Sequence, residues 1–267
     1  QSNQRLVEDY RYFYHYDIMG NLISKQAKAG FPNSEVTNFT YSSENQLTGI
    51  QFFAAGQSSP YKTIVYRYDA MGRRIWKSVS DSTAQTDPKK TFARAYIYDG
   101  QQVIKEYDGQ GQLVVRYTHS NLRLDDILSA EVTNAGVTAG IAQSAGCYQY
   151  LKDALGSIIG IANNSGDRLQ HYVYSSFGIL EKIEDNQGTD ISSNPVLNTS
   201  YGFAGRERDS ETGLMFHRAR YYDPNIGRFL QKDPEPGAIN APITSVNGYI
   251  YGANSPNNLT DATGKSV

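Results

Sequence analysis

Cysteine is nearly absent: Cys147 is the only one in 267 residues. No intrachain disulfide can form, so stability must come from packing and strand pairing. The thiol follows the small-residue run NAGVTAGIAQSAG with no histidine motif beside it, a setting that marks a buried structural cysteine rather than a nucleophile. Histidine is scarce as well. His15, His119, His171 and His217 are scattered without His-x-x-x-His spacing, so no metal site is expected. The chain also lacks a Gly-x-Ser-x-Gly elbow and a Gly-x-x-x-x-Gly-Lys phosphate loop, and no cofactor is expected. No apolar run approaches membrane-spanning length, and no charged-then-apolar leader opens the chain. An excess of one charge is missing too: 25 basic against 27 acidic residues leave a net charge of −2, which argues against direct nucleic-acid binding. The first residue is Gln1 rather than Met, and a missing N-terminal portion is expected.

What is abundant is tyrosine and glycine, 21 and 24 residues, while hydrophobic residues make up only 39%. Tyr joins a large apolar ring to a polar tip and suits half-buried sheet surfaces. A sheet-rich fold with many turns follows, and a helical bundle does not. An internal repeat supports this. Tyr16-Asp17-Ile18-Met19-Gly20 matches Tyr68-Asp69-Ala70-Met71-Gly72, with a degenerate copy from Tyr41 and further echoes at Tyr98-Asp99-Gly100, Tyr107-Asp108-Gly109 and Asp153-Ala154-Leu155-Gly156. Spacing of this order marks an array of supersecondary units. In each unit a strand of alternating tyrosines ends on an Asp that caps a turn through its side chain. The Gly three residues on takes the left-handed conformation, and an apolar residue starts the returning strand. Loops are expected at Asp81–Lys90, Asn134–Gly146 and Glu184–Pro195.

The most specific stretch is Phe203 to Pro234, FAGRERDSETGLMFHRARYYDPNIGRFLQKDP. Its turn residues predict two tight turns, at Ser210–Gly213 and Asp223–Gly227, around a strand carrying Phe216, Arg218, Arg220 and Tyr222 on one face. The mixed cluster Arg206, Glu207, Arg208 and Asp209 reads as surface ion pairs. His217 reads as a packed or surface histidine.

The Tyr-Asp units resemble the YD repeats of Rhs proteins, toxin-complex components and teneurins. The Phe203–Pro234 stretch resembles the Rhs-repeat-associated core, and Asp108–Leu128 and Tyr148–Gly178 resemble the segments that precede it. The resemblance is strongest from Asp99 to Gly264. It implies an all-β fold in which a hairpin array spirals as one curled sheet, part of a β-cocoon shell, and ends in the core as a plug. Residues 1–147 would form the YD-repeat shell segment, 148–265 the core continuous with it, and 266–267 the start of a post-cleavage region. The implied partners are the chain's own C-terminal toxin region, a missing N-terminal shell portion, and secretion or toxin-complex machinery. The implied location is secreted or delivered to target cells, after synthesis in a bacterial cytoplasm, or a cell surface.

The same resemblance implies self-cleavage by an aspartyl-protease mechanism. It carries the family's arginine to Arg220, its first aspartate to Asp233 and its second to Asp261, with cleavage at the Lys265–Ser266 bond. Such chemistry needs two carboxylates that differ in protonation, with a cation that holds one of them ionised. From the residues alone, Asp233 before Pro234 and Asp261 near Gly264 read as turn formers; the catalytic reading comes from the resemblance. Two departures stand out: Ala262 follows the second aspartate where the family usually has Pro, and the Asp233–Asp261 gap is long, as an insertion around Ala238–Ser245 would make it. The alternatives are a YD-repeat scaffold without cleavage, or an adhesion surface where exposed Tyr and Trp76 stack on sugars.

Overall fold

The computed structural model describes residues 4–31, 35–121, 124–235 and 247–265. The chain first lays down ten strands: β1 (Tyr12–Tyr16), β2 (Leu22–Ala27), β3 (Val36–Tyr41), β4 (Leu47–Phe53), β5 (Lys62–Tyr68), β6 (Arg74–Asp81), β7 (Phe92–Asp99), β8 (Gln102–Asp108), β9 (Leu113–His119) and β10 (Ile127–Val132). A five-residue helix, α1 (Asn134–Thr138), interrupts the expected loop after β10, capped by the Thr133 side chain on the Gly136 amide. Four more strands follow: β11 (Gly146–Lys152), β12 (Ile158–Ala162), β13 (Arg168–Tyr174) and β14 (Leu180–Glu184). All fourteen pair in chain order into one antiparallel sheet. The fold is the expected all-β hairpin array.

The repeat builds the hairpins as its residues dictate. Asp69, Asp108, Asp153 and Asp185 each accept from the backbone N–H groups two and four residues on. Asn163 does the same, and in the degenerate copy Ser42 takes the aspartate's place through its hydroxyl. There Asn45 adopts the positive φ (60°) that Gly20 and Gly72 supply elsewhere. A register shift accompanies these turns, for example between Thr40 and Tyr41 and between Arg67 and Tyr68. The repeat's tyrosine then ties each hairpin to the one before it. Tyr41, Tyr68, Tyr98 and Tyr174 donate their hydroxyls to the carbonyls of Leu22, Leu47, Arg74 and Ile158, at 2.7–3.0 Å. His119 stands in the tyrosine's place and meets the Val103 carbonyl at 2.8 Å.

A smaller four-stranded sheet lies against this array: β15 (Glu207–Arg208), β16 (Met215–His217), β17 (Arg220–Asp223) and β18 (Arg228–Phe229). Its neighbours reveal how far the large sheet curls. Tyr222 donates to the carbonyl of Phe177 in the β13–β14 turn, while the adjacent Asp223 meets Lys25 on β2 at 3.7 Å. In a flat sheet β2 and β13 would lie roughly 50 Å apart. Two neighbouring residues can touch both only if the sheet wraps around them. The wrap stays open, since β1 and β14 do not pair with each other.

The inner face therefore has something to bury against. One core cluster joins Leu22, Ile50, Ile64 and Tyr66 of the sheet to Phe216, Tyr221 and Leu230. Another joins Val115, Ile127, Ile161 and Tyr172 to Leu197 and Tyr201. Between sheet and plug sits a charge cluster that reading the residues as surface pairs missed. Asp209 is fully buried and accepts from Arg74 and Lys77 on β6 at 2.9 Å, and from the Tyr66 hydroxyl at 2.8 Å. Glu207 pairs with Arg74, and Glu211 with Lys77. Arg206 is buried as well, against Asp125. These charges are inside because the turn following Asp209 presses the segment onto β6, which no local pattern discloses. Cys147 is half-buried on β11 rather than sealed in a core.

Candidate functional site

The site is built where the plug's hairpins meet the chain end. Both expected turns form, from Asp209 to Gly213 and from Asp223 to Gly227. The strand expected between them does not run through. It breaks into β16 and β17, with His217 opposite Arg220 and Arg218 at a φ of 57°. Phe216, Arg218, Arg220 and Tyr222 thus do not share one strand face. A tight turn at Arg218–Ala219, with no Gly or Pro to announce it, is the reason. Its effect is to aim the Arg220 side chain across the plug, stacked on the Phe229 ring at 3.7 Å.

Arg220 gathers the expected residues. One nitrogen, Nη2, donates to Asp233 Oδ2 at 2.9 Å and to Asp261 Oδ2 at 3.0 Å. Nη1 reaches the Gly248 carbonyl at 2.9 Å, and Nε donates to the Gly264 carbonyl. Asp233 is anchored through its own N–H to the carbonyl of the same Gly248. Arg220 and Asp261 are 2% and 1% exposed, so the pair is sealed, while the Asp233 side chain stays 13% exposed. Lys265 places its amide nitrogen 3.3 Å from Asp261 Oδ1. Arg220, Asp233, Asp261 and Lys265 are together; Ser266 and the expected insertion around Ala238–Ser245 lie outside the described residues.

Electrostatically one guanidinium serves two carboxylates. Burial pushes the Asp233 carboxyl above the usual carboxylate range, against the opposing pull of Arg220. Burial likewise lowers Arg220, against the pull of both aspartates. Both shifts have burial as their largest cause and favour the uncharged form of each group.

The turn-forming reading of Asp261 also holds, through its other oxygen. Oδ1 accepts from the N–H groups of Thr263, Gly264 and Lys265, the same Asp-x-x-Gly cap that the repeat uses. In the repeat the second oxygen stays local: Asp69 Oδ2 pairs with Arg73, four residues on. In Asp261 it reaches a guanidinium 41 positions away. Two residues that sequence reasoning did not assign join the site. His217 is completely buried and its Nδ1 meets the Asp261 carbonyl at 2.8 Å. Arg218 bonds the Ala262 carbonyl and pairs with Asp125. The sequence held no signal for either, since both contacts depend on the unannounced turn. A cavity of about 900 Å³ opens beside the cluster, lined among others by Met71, Gln102, His119, Arg206, Asp233 and Lys265.

Comparison with known proteins matches this architecture. A family model described as teneurin YD-shell matches residues 3–257. The tRNA3(Ser)-specific nuclease WapA of Bacillus spizizenii is 31% identical over 231 residues, covering 86% of this chain and 8% of that protein. The toxin subunit YenC1 of Yersinia entomophaga is 25% identical over 302 residues, covering 94% of this chain and 28% of that one. The crystal structure of TcdB2-TccC3 superimposes with a TM-score of 0.59 at 17% identity, over 95% of this chain and 13% of that one, a likeness of fold. The chain thus spans less than a tenth of the first curated relative that it matches.

Proposed function

The chain belongs to the teneurin YD-shell family, within the Rhs/YD-repeat proteins, and from that premise we propose that it is the C-terminal part of a toxin shell that cuts itself from its cargo after Lys265. Names among its relatives point the same way: a tRNA nuclease, a double-stranded DNA deaminase toxin and a toxin subunit. The curled sheet would be the wall, and the 203–265 segment its plug. The partners on this reading are the chain's own downstream toxin region and an upstream shell portion that would complete the wall. Delivery from a bacterial cell would go with this reading; among the described residues no helix is long and apolar enough to cross a membrane.

One observation carries the enzymatic part: a single Arg220 nitrogen holds both Asp233 and Asp261, and the Lys265 amide lies 3.3 Å from Asp261 Oδ1. Asp233, whose carboxyl burial holds in the protonated form more readily, would donate to the carbonyl oxygen of Lys265. Asp261 would take a proton from water as it attacks that carbonyl carbon. Collapse then breaks the C–N bond, passes a proton to the Ser266 nitrogen and leaves a carboxylate on Lys265. Arg220 would stabilise the negative charge developing in between. Because the bond is tethered to the site, its effective concentration is high and a modest site suffices for one turnover.

The test is intact-mass measurement on the chain carrying a downstream segment, beside Asp233→Asn and Asp261→Asn. Cleavage after Lys265 that each substitution abolishes is the expected result. An uncut wild type would refute the enzyme and leave the shell.

A further inference from the structure

The tip of the β16–β17 hairpin makes four contacts with the chain end in strict order. His217 Nδ1 meets the Asp261 carbonyl at 2.8 Å, and Arg218 Nη1 bonds the Ala262 carbonyl. The Ala219 N–H donates to the Thr263 carbonyl at 3.3 Å, and Arg220 Nε bonds the Gly264 carbonyl. Four consecutive residues thus hold four consecutive carbonyls, each 44 positions on. Since a carbonyl only accepts, His217 must carry its proton on Nδ1. Its Nε2 is left bare and buried among the rings of Tyr222, Phe229 and Tyr251. Burial and the neighbouring Arg206 push its pKa well below the ordinary histidine value, which keeps the ring neutral and the donor in place.

Side chains on the held segment are treated differently. Thr263 and Lys265 are exposed and Ala262 is half-buried. Gly264 alone is forced: its φ is 70°, and a Cβ there would lie 2.1 Å from the His217 carbonyl oxygen.

We propose that residues 217–220 form a backbone clamp that fixes which bond is cut by registering the Asp261–Gly264 carbonyls, with Gly264 the one position beyond Asp261 where a side chain is excluded and Lys265 unread. The proposal rests on the self-cleavage reading above. It explains why Ala262 can stand where the family usually has Pro, since the clamp uses only the carbonyl of that residue. It also makes cleavage strictly intramolecular: Asp261 is both a catalytic carboxylate and part of the clamped strand, so the product stays seated and blocks a second turnover.

The test uses the chain with a histidine-free downstream segment. One glycine inserted between Gly264 and Lys265 should leave the cut one residue beyond Gly264, so that the new product ends on the inserted glycine. A cut that still follows Lys265 would overturn the clamp. Lys265→Ala should keep the cut in place with a rate within about threefold, whereas Gly264→Ala should slow it by about a hundredfold. Failure of cleavage itself shows separately, as an uncut wild type, and the clamp is then read by ¹⁵N NMR of the imidazoles. A neutral Nδ1–H ring for His217 that Gly264→Ala disturbs supports the clamp. An Nε2–H ring, or one indifferent to Gly264→Ala, sinks it.

Discussion

Replacing Asp209 by Ala is the sharpest test of how the plug is held in the shell. The carboxylate is fully buried and takes Arg74, Lys77 and the Tyr66 hydroxyl at once. Removing one partner of a buried ion pair costs about 3–5 kcal/mol, because the other charge is stranded away from water. Here the stranding is partial. Arg74 keeps Glu207 and the Tyr221 hydroxyl, and Lys77 keeps Glu211. Two cations facing three carboxylates become two facing two. The expected loss therefore lies at the low end, about 3 kcal/mol, read as a lower urea midpoint with an unchanged slope. The pH dependence follows with a definite sign. Burial alone would raise the Asp209 carboxyl, but Arg74 and Lys77 outweigh it and hold it below the usual range. Its contribution is then fully present above the unfolded carboxylate value of about 4 and lost as pH falls through the lowered native value. The substituted chain should lack that part of the acid limb. A loss under about 1 kcal/mol, the range of surface pairs, with an unchanged acid limb, would refute the reasoning.

Other perturbations test the remaining links. Tyr68→Phe removes the hydroxyl that satisfies the Leu47 carbonyl, and a loss of about 1–2 kcal/mol is expected in urea unfolding. Gly166 and Gly178 both sit near a φ of 88° in repeat turns, yet a Cβ at Gly166 meets nothing while one at Gly178 would lie 2.6 Å from the Phe203 ring. Alanine at Gly166 should therefore cost about 1 kcal/mol in backbone strain alone, and alanine at Gly178 at least about 1–3 kcal/mol more from overpacking. Self-cleavage should slow as pH rises through the titration of Asp233, at a midpoint above the usual carboxylate value because burial raises that group; a rate that climbs with pH there would exchange the roles of the two aspartates.

Much of the fold was legible because the repeat writes its own turns. An Asp or Asn side chain capping two amides, a positive-φ residue three positions on and a tyrosine before it are local requirements, and local requirements show in sequence. The fourth repeat marks the limit: Tyr98 keeps its bond to the Arg74 carbonyl, but Asp99 closes a two-residue turn through Gly100 instead. What stayed hidden depends on wrapping. Asp209 looks like any surface carboxylate until β6 is folded over it, and Arg218 gives no sign of its positive φ. Trp76 is half-buried on β6.

The candidate site shows why turn chemistry and catalysis were hard to separate by reading residues. Asp261 is a repeat-type turn aspartate: Oδ1 caps the N–H groups of residues 263–265 as Asp69 caps its own turn. Wherever the capping residue of this turn is Asp, one oxygen is fixed by the cap and the second is left over. In two of them that oxygen is used locally, accepting from Asn21 at Asp17 and from Arg73 at Asp69. At Asp261 no residue four positions on competes, since Lys265 extends to Glu235, and Oδ2 is free to meet Arg220. The hydrolytic site proposed above would require only a second carboxylate on the same guanidinium, and Asp233, in the segment after β18, meets it at 2.9 Å. On that proposal the chemistry would use a repeat-type turn whose second oxygen meets a distant partner, with the clamp at residues 217–220 bringing the two together.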